Sequence, residues 1–414
     1  MISKFNLFIL LFFMPFLFSC AGEQEAETKV ETETEKIDFA SEQMKIFFEE
    51  MPKAIAAEPE EQRIRRERSN RGPLVCPRSI RDGELFMVPS RDWTSGFFPG
   101  NLWFMYEFTG DVFWLEKARE YTSYIEREKT NAGTHDMGFK IFCSFGNGYR
   151  ITEDEAYRDI MIEAARTLIT RYNEDVGAIR SWDHNTDKWD FPVIIDNMMN
   201  LELLFCATRA TGDPVFYEIA VNHANTTLNE HFREDNSSYH VVDFHPETGE
   251  VENRHTHQGH AHESAWARGQ AWGLYGFTMS YRETGIEAYL EQAEKIAEFM
   301  LYDPNMPEDL VPYWDYDDPA IPNAPRDVSA AAIMSSAFFE LSTLIPEKKD
   351  HYYDNAVKIL ESIYEDYCSE PGANKGFITD HSTGHLPGDH EIDTPLIYAD
   401  YYFLEAIKRK NSMK

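Results

Sequence analysis

From residue 41 onward, apolar residues recur at helical spacing and strand-like alternation is scarce. Two kinds of helical segment alternate along the chain. One is apolar or small around its whole circumference, with polar residues concentrated at its N-terminal end: 94–108, 136–150, 192–210, 264–282, 327–344 and 393–408. The other is amphipathic and charged: about 41–56, 112–129, 153–172, 214–231, 287–302 and 350–366. An all-apolar helix belongs inside a fold and a one-sided helix belongs on its surface. Short turns ("TGD" at 109–111 and 211–213, "TGI" at 284–286) carry inner helices into outer ones, and long irregular connections run back.

Six inner and six outer helices in alternation predict an all-α fold, a closed (α/α)6 barrel, with a linear superhelix of helical repeats as the alternative. Unequal repeat lengths and the absence of a fixed period favour the closed ring, read as a single catalytic domain over residues 38–414. Its inner helices run parallel, so their N-termini share one rim. The long connections gather there, and function is expected there.

The polar residues at those N-termini are Asp92, Trp93 and Thr94; His135 and Asp136; Asp196; Arg268 and Trp272; Asp327; Asp393 and Thr394. Asp196 stands out. The stretch "FPVIIDNMMNLELLF" (191–205) places it alone in an oily run, about one turn inside the predicted helix. A carboxylate buried in this way is costly unless it is paired, protonated or facing a polar cavity. Two aspartates converging on one cavity push their pKa values apart, leaving one protonated near neutrality as a general acid. The alternative for Asp196 is a structural aspartate that caps its helix or bonds Asn200. Asp136 in "THDMGF" also reads as a helix N-cap.

The stretch "RHTHQGHAHESAWARGQAW" (254–272) holds His255, His257, His260 and His262, but no spacing in it matches an HExxH motif or a Cys/His finger. It reads as a polar, substrate-facing loop without a metal. Arg268 and Trp272 are four residues apart and share a helix face, offering a carboxylate-binding fork and a flat apolar wall. A structural salt bridge and a packing tryptophan are the alternative.

Charge narrows the partners. With 72 Asp and Glu against 39 Lys and Arg, the formal charge is -33, which disfavours nucleic acid and anionic membrane surfaces. An anionic substrate therefore needs a local cation. The supply of 21 Tyr, 29 Phe and 8 Trp suits sugar stacking as well as a large core. Residues 1–19, "MISKFNLFILLFFMPFLFS", read as a secretory signal, and Cys20 after "LFS" resembles a lipobox cysteine. That implies a periplasmic or surface protein held to the membrane only by a lipid. The acidic stretch after it, residues 20–37, reads as a disordered tether. Cys76, Cys143, Cys206 and Cys368 are widely spaced and imply no disulfide framework.

Four motifs, "DWTSGFFPGNLW", "THDMGF", "IIDNMMN" and "WARGQAW", resemble those of the unsaturated glucuronyl hydrolases, glycoside hydrolase family 88, in family order across most of residues 40–410. The resemblance implies an (α/α)6 barrel that uses no metal or cofactor. It implies Asp196 as general acid and base and Asp136 as a second essential carboxylate. His240, Gln258, Arg268, Trp272, Trp93 and Thr256 fall at positions it implies for substrate binding. The histidine-rich loop "ENRHTHQGHAHES" departs from the family pattern, which leaves the preference for the leaving sugar open.

The implied reaction begins on a uronate-terminated oligosaccharide made by a lyase, with a C4=C5 double bond at the non-reducing end. Proton transfer to C4 creates an oxocarbenium-like centre at C5. Water adds there, the hemiketal opens, and the neighbouring sugar leaves. This differs from the two-carboxylate displacement at C1 of ordinary glycosidases. Three rivals stand beside it: a related hydrolase of unsaturated rhamnogalacturonyl disaccharides, a non-catalytic sugar-binding lipoprotein, and a sugar epimerase on the same barrel.

Overall fold

The computed structural model describes residues 21–413, with side chains from residue 33 onward. In chain order the helices are α1 (Ala21–Lys45), α2 (Phe47–Ala56), α3 (Glu60–Arg68), α4 (Phe97–Thr109), α5 (Val112–Ile125), α6 (Asn147–Thr152) and α7 (Glu155–Ile169). They continue as α8 (Leu201–Thr211), α9 (Pro214–Glu230), α10 (Ala267–Thr284), α11 (Glu287–Tyr302), α12 (Val328–Leu344), α13 (Lys349–Asp366) and α14 (Ile397–Ser412). The inner ring is α4, the buried π-helical stretch Gly138–Gly146 that runs into α6, then α8, α10, α12 and α14. The last inner helix, α14, packs against both α12 and the first inner helix, α4, so the ring closes into an (α/α)6 barrel. The inner helices are buried as their composition demands: every residue of α10 from Ala267 to Ser280 is out of solvent.

The short turns work as their sequences suggest. Gly110, Gly212 and Gly285 take positive φ (65°, 71° and 67°) to end α4, α8 and α10, a conformation that costs glycine least. The aspartates that follow two of them cap the next helices: Asp111 accepts from Phe113 N at 2.9 Å and Asp213 from Val215 N at 3.1 Å.

Two expectations need correction. Residues 192–194 are not helical. They form a short strand, Pro192–Ile194, in a three-stranded antiparallel sheet with Val241–Phe244 and Val251–His255. The β-branched run Val193, Ile194, Ile195 suits that sheet, and three residues are too few to show alternation in a sequence. A hairpin of Leu74–Arg81 and Glu84–Pro89 was equally illegible. The second correction concerns the tether. Helix α1 runs through it, and Glu33 and Lys36 are buried. Lys36 Nζ lies 2.6 Å from Glu361, which also holds Lys410 at 3.1 Å, and Lys410 in turn binds Glu33. Acidic composition predicts disorder only where no partner neutralises it, and here α13 and α14 supply the partners. The signal segment and Cys20 lie outside the described residues. Among the described residues no helix is long and apolar enough to cross a membrane.

Candidate active site

At the N-terminal mouth of the barrel lies a cavity of about 190 Å³. Asp196 reaches it from the first turn after strand Pro192–Ile194, so the chain delivers its carboxylate directly from the sheet rather than from within a helix. Its Oδ2 is buried without a hydrogen-bond partner. Burial is the main force raising its pKa, and Asp136 adds to it. Arg268, the local backbone and the Trp272 indole oppose. The balance leaves Asp196 pushed up to about 7.

Asp136 lines the same cavity. Thr134 Oγ1 donates to its Oδ2 at 2.7 Å, and His135 Nε2 lies 3.2 Å from its Oδ1. His135 is itself buried, which holds its pKa below the usual histidine range although Asp136 pulls the other way. The two carboxylates differ as general acid chemistry requires, one held by donors and the other desolvated.

His240, at the edge of the sheet, is buried behind the cavity wall and is not one of its lining residues. Its Nδ1 accepts from both His257 N and Gln258 N at 3.1 Å, which assigns the proton to Nε2. That Nε2 sits 3.8 Å from Asp196 Oδ2. Burial, and then His257 and Arg268, keep the imidazole neutral. Gln258 lines the cavity and donates to Gly384 O at 3.1 Å. Trp93 lines it from the turn before α4.

Three more expected substrate contacts are placed differently. Trp272 is fully buried and packs on Phe139 and Tyr402, so it backs Asp196 instead of offering a stacking face. Arg268 is on the cavity wall, but its fork faces inward: Nη1 donates to Asp327 at 2.5 Å and to Thr383 O at 2.7 Å, and Nη2 donates to Gly384 O. Thr256 holds a turn, accepting from Gly259 N at 2.7 Å, and is absent from the cavity wall. Of the other rim residues, Asp92 and Asp327 cap helical turns, and Asp393 is exposed and paired with His381.

Several wall residues were not anticipated. Trp182 and His184, stacked with ring centroids 5.2 Å apart, come from the loop before the strand that carries Asp196. His385, His390 and Glu391 come from the loop 381–392, and Tyr398 from α14. The cluster "HSTGHLPGDHE" before the last inner helix was the available signal, since it is dense in histidine at the rim end of its helix. Arg78 had none: it arrives from the hairpin and is clamped by Glu391 (2.5 Å) and Asp92 (3.0 Å). Among the described residues no group of three or more His, Cys, Asp or Glu is arranged to hold a metal ion.

Comparison with known proteins agrees with this geometry. The profile of Glycosyl Hydrolase Family 88 matches residues 77–402. An unsaturated glucuronyl hydrolase of Formosa agariphila is 55% identical over 328 residues, covering 79% of this chain and 82% of that protein. One from Bacillus sp. strain GL1 is 37% identical, covering 77% of this chain and 86% of its own. A crystal structure of an unsaturated glucuronyl hydrolase specific for heparin superposes with a TM-score of 0.82 at 43% identity, over 91% of this chain and 98% of that one. A closed helical barrel, a desolvated aspartate facing a polar cavity and a match over most of the length converge: the chain belongs to glycoside hydrolase family 88.

Proposed function

We propose that this glycoside hydrolase removes the 4,5-unsaturated uronate from the non-reducing end of lyase-generated glycosaminoglycan oligosaccharides by hydrating the C4=C5 bond. The observation that carries the reading is Asp196: a buried carboxyl on the cavity wall, held near half-protonation at neutral pH. In that state it gives its proton to C4 while the ring oxygen stabilises the cation at C5. The resulting carboxylate then takes a proton from the water that adds to C5. The hemiketal opens by breaking the bond from C5 to the ring oxygen, and the aldehyde forms at C1 as the neighbouring sugar departs with a proton. Asp136, held by Thr134 and His135, sits beside it, and neutral His240 offers an N–H to the developing oxygen charge. A proton-transfer role of this kind supplies about 10²–10⁴-fold in rate.

The test uses paired disaccharides, one unsaturated and one with the saturated uronate. The enzyme should abolish the ultraviolet absorbance of the unsaturated one and leave the saturated one intact. Cleavage of both at similar rates would replace hydration by displacement at C1. A panel of heparin-type, chondroitin-type and pectin-type disaccharides then ranks the leaving sugars. Cys20 is proposed as the lipid-bearing N-terminus of the mature protein, at the periplasmic or outer surface. A fatty-acid label should mark the wild type and miss Cys20→Ala; equal labelling would end that reading.

A further inference from the structure

Asp327 is a buried carboxylate that the reaction leaves without a task and that touches the cavity wall through Arg268. It is fully out of solvent and caps α12 through Ser329 N at 3.1 Å. Its other oxygen faces the chemistry, because Oδ2 accepts from Arg268 Nη1 at 2.5 Å. The same Nη1 reaches Thr383 O, Nη2 reaches Gly384 O, and Gln258 donates to that Gly384 carbonyl as well. One ion pair therefore joins three things: the start of α12, the first turn of α10, and the loop that carries His385, His390 and Glu391 into the cavity. The loop has little freedom of its own at this point, since a Cβ on Gly384 would lie 2.5 Å from the Glu391 carboxylate.

We propose that Asp327 is a positioning residue for the reaction: acting through Arg268, it pins the loop 382–384 to the cavity wall and sets how much positive charge Asp196 meets. The inference rests on the reading of Asp196 as the general acid. Arg268 is bonded to Asp327 and feels the charge of Asp196 as well. It is otherwise bounded by the rings of Trp266 (4.6 Å) and Tyr398 (5.5 Å), neither of which carries a charge at neutral pH. Around Asp196 stand Asp136, neutral His240 and the Trp272 indole, and the same cavity wall carries His135, His257, His385, His390 and an Arg78 already paired with Glu391 and Asp92. Arg268 is thus the cation that favours the Asp196 anion, and Asp327 is the anion paired with that cation.

The consequence is a signed prediction. With Asp327 neutral, the full charge of Arg268 acts on Asp196, which then gives up its proton at lower pH. With Arg268 neutral, the cation that favours the Asp196 anion is gone, and Asp196 keeps its proton to higher pH. Because the acid must be protonated to react, kcat falls on the alkaline side as Asp196 ionises.

The experiment records kcat against pH on one unsaturated disaccharide for wild type, Asp327→Asn, Arg268→Gln and the double variant, with Asp196→Asn alongside. The alkaline limb should move down in Asp327→Asn and up in Arg268→Gln, each by roughly 0.5–1.5 pH, the size expected for a charge at this range. The double variant should return close to wild type. Lower rates with an unmoved limb in both single variants would make the pair merely structural and overturn the proposal. If Asp327→Asn does not fold, Asp327→Ser, which keeps a cap for Ser329 N, takes its place: a lowered alkaline limb supports the proposal, and an unmoved limb overturns it. Activity in Asp196→Asn would instead remove the acid assignment itself, so the two failures are distinct.

Discussion

The barrel has two mouths, and the larger cavity is at the wrong one. At the N-terminal mouth the cavity is about 190 Å³, and at the C-terminal mouth it is about 690 Å³. Both are lined with charge. At the C-terminal mouth, Arg150, Arg209, Arg282 and Arg409 sit in the last turns of inner helices, where the helix dipole favours cations. Each meets a glutamate: Glu107, Glu283, Glu202 and Glu340 among them. At the N-terminal mouth Asp196 has no such partner within hydrogen-bonding distance. The difference is that charge is matched in pairs at the larger cavity and left unmatched on Asp196 at the smaller one, and on the function proposed above volume alone is a poor guide to the chemistry.

The largest expected effect separates the mouths by activity. Asp196→Asn keeps the shape of the side chain and removes the proton, so kcat should fall by at least about 10²-fold. Retention of more than about a tenth of wild-type turnover would contradict the acid role.

The second effect separates them by stability. Glu340 receives Arg282 at 2.6 Å and Arg409 at 2.7 Å. Glu340→Gln should cost about 1–3 kcal/mol of stability, the range for leaving a buried charged group unpaired, with kcat/KM within about twofold of wild type. Burial tends to raise the Glu340 pKa, but Arg409 and Arg282 hold it below the usual carboxylate range. Its contribution is therefore present above the unfolded pKa and lost as pH falls through the folded one. Melting curves of variant and wild type should converge in acid. A difference that persists undiminished in acid would show that packing, not the ion pair, is what the substitution removed.

An effect of opposite sign on stability belongs to Asp196. Its raised pKa means that ionisation opposes folding, and the penalty grows as pH rises from about 4 to about 7. Asp196→Asn should melt above wild type at pH 8 and level with it near pH 4, to about the nearest half unit of those limits. The same melting point for both proteins at both values would mean the carboxyl is not desolvated.

The smallest effect is none. His255 accepts from Trp189 and His262 accepts from Thr256 N, so those ring nitrogens are already engaged. Chelation with EDTA should leave activity unchanged; loss that is restored by added zinc or calcium would give the histidine loop a metal.

The order and burial of the twelve barrel helices were legible because burial writes itself into composition: a helix surrounded by protein has no use for charge on any face. The "TGD" turns were legible because glycine and an N-capping aspartate act within a few residues. The position of Asp196 was legible only in part. An isolated carboxylate in an apolar run is visible, but the three-residue strand that delivers it is stabilised by partners some 50 residues away, at Val241–Phe244. Trp272 and Arg268 share a helix face, as their spacing says, yet spacing cannot tell which way a face looks. One turned out to back Asp196, and the other to hold Asp327 and a loop.

The sequence by itself determined the helical alternation, the closed-ring reading, the lone aspartate and its family, since each rests on local periodicity, turn chemistry or motif. Only the tertiary structure decided which charges are paired. Arg268 meets Asp327 across 59 residues, Arg78 meets Glu391 across 313, and Lys36 meets Glu361 across 325. Coulomb attraction and desolvation depend on distance in space and on exclusion of water, and neither is set until the barrel has closed.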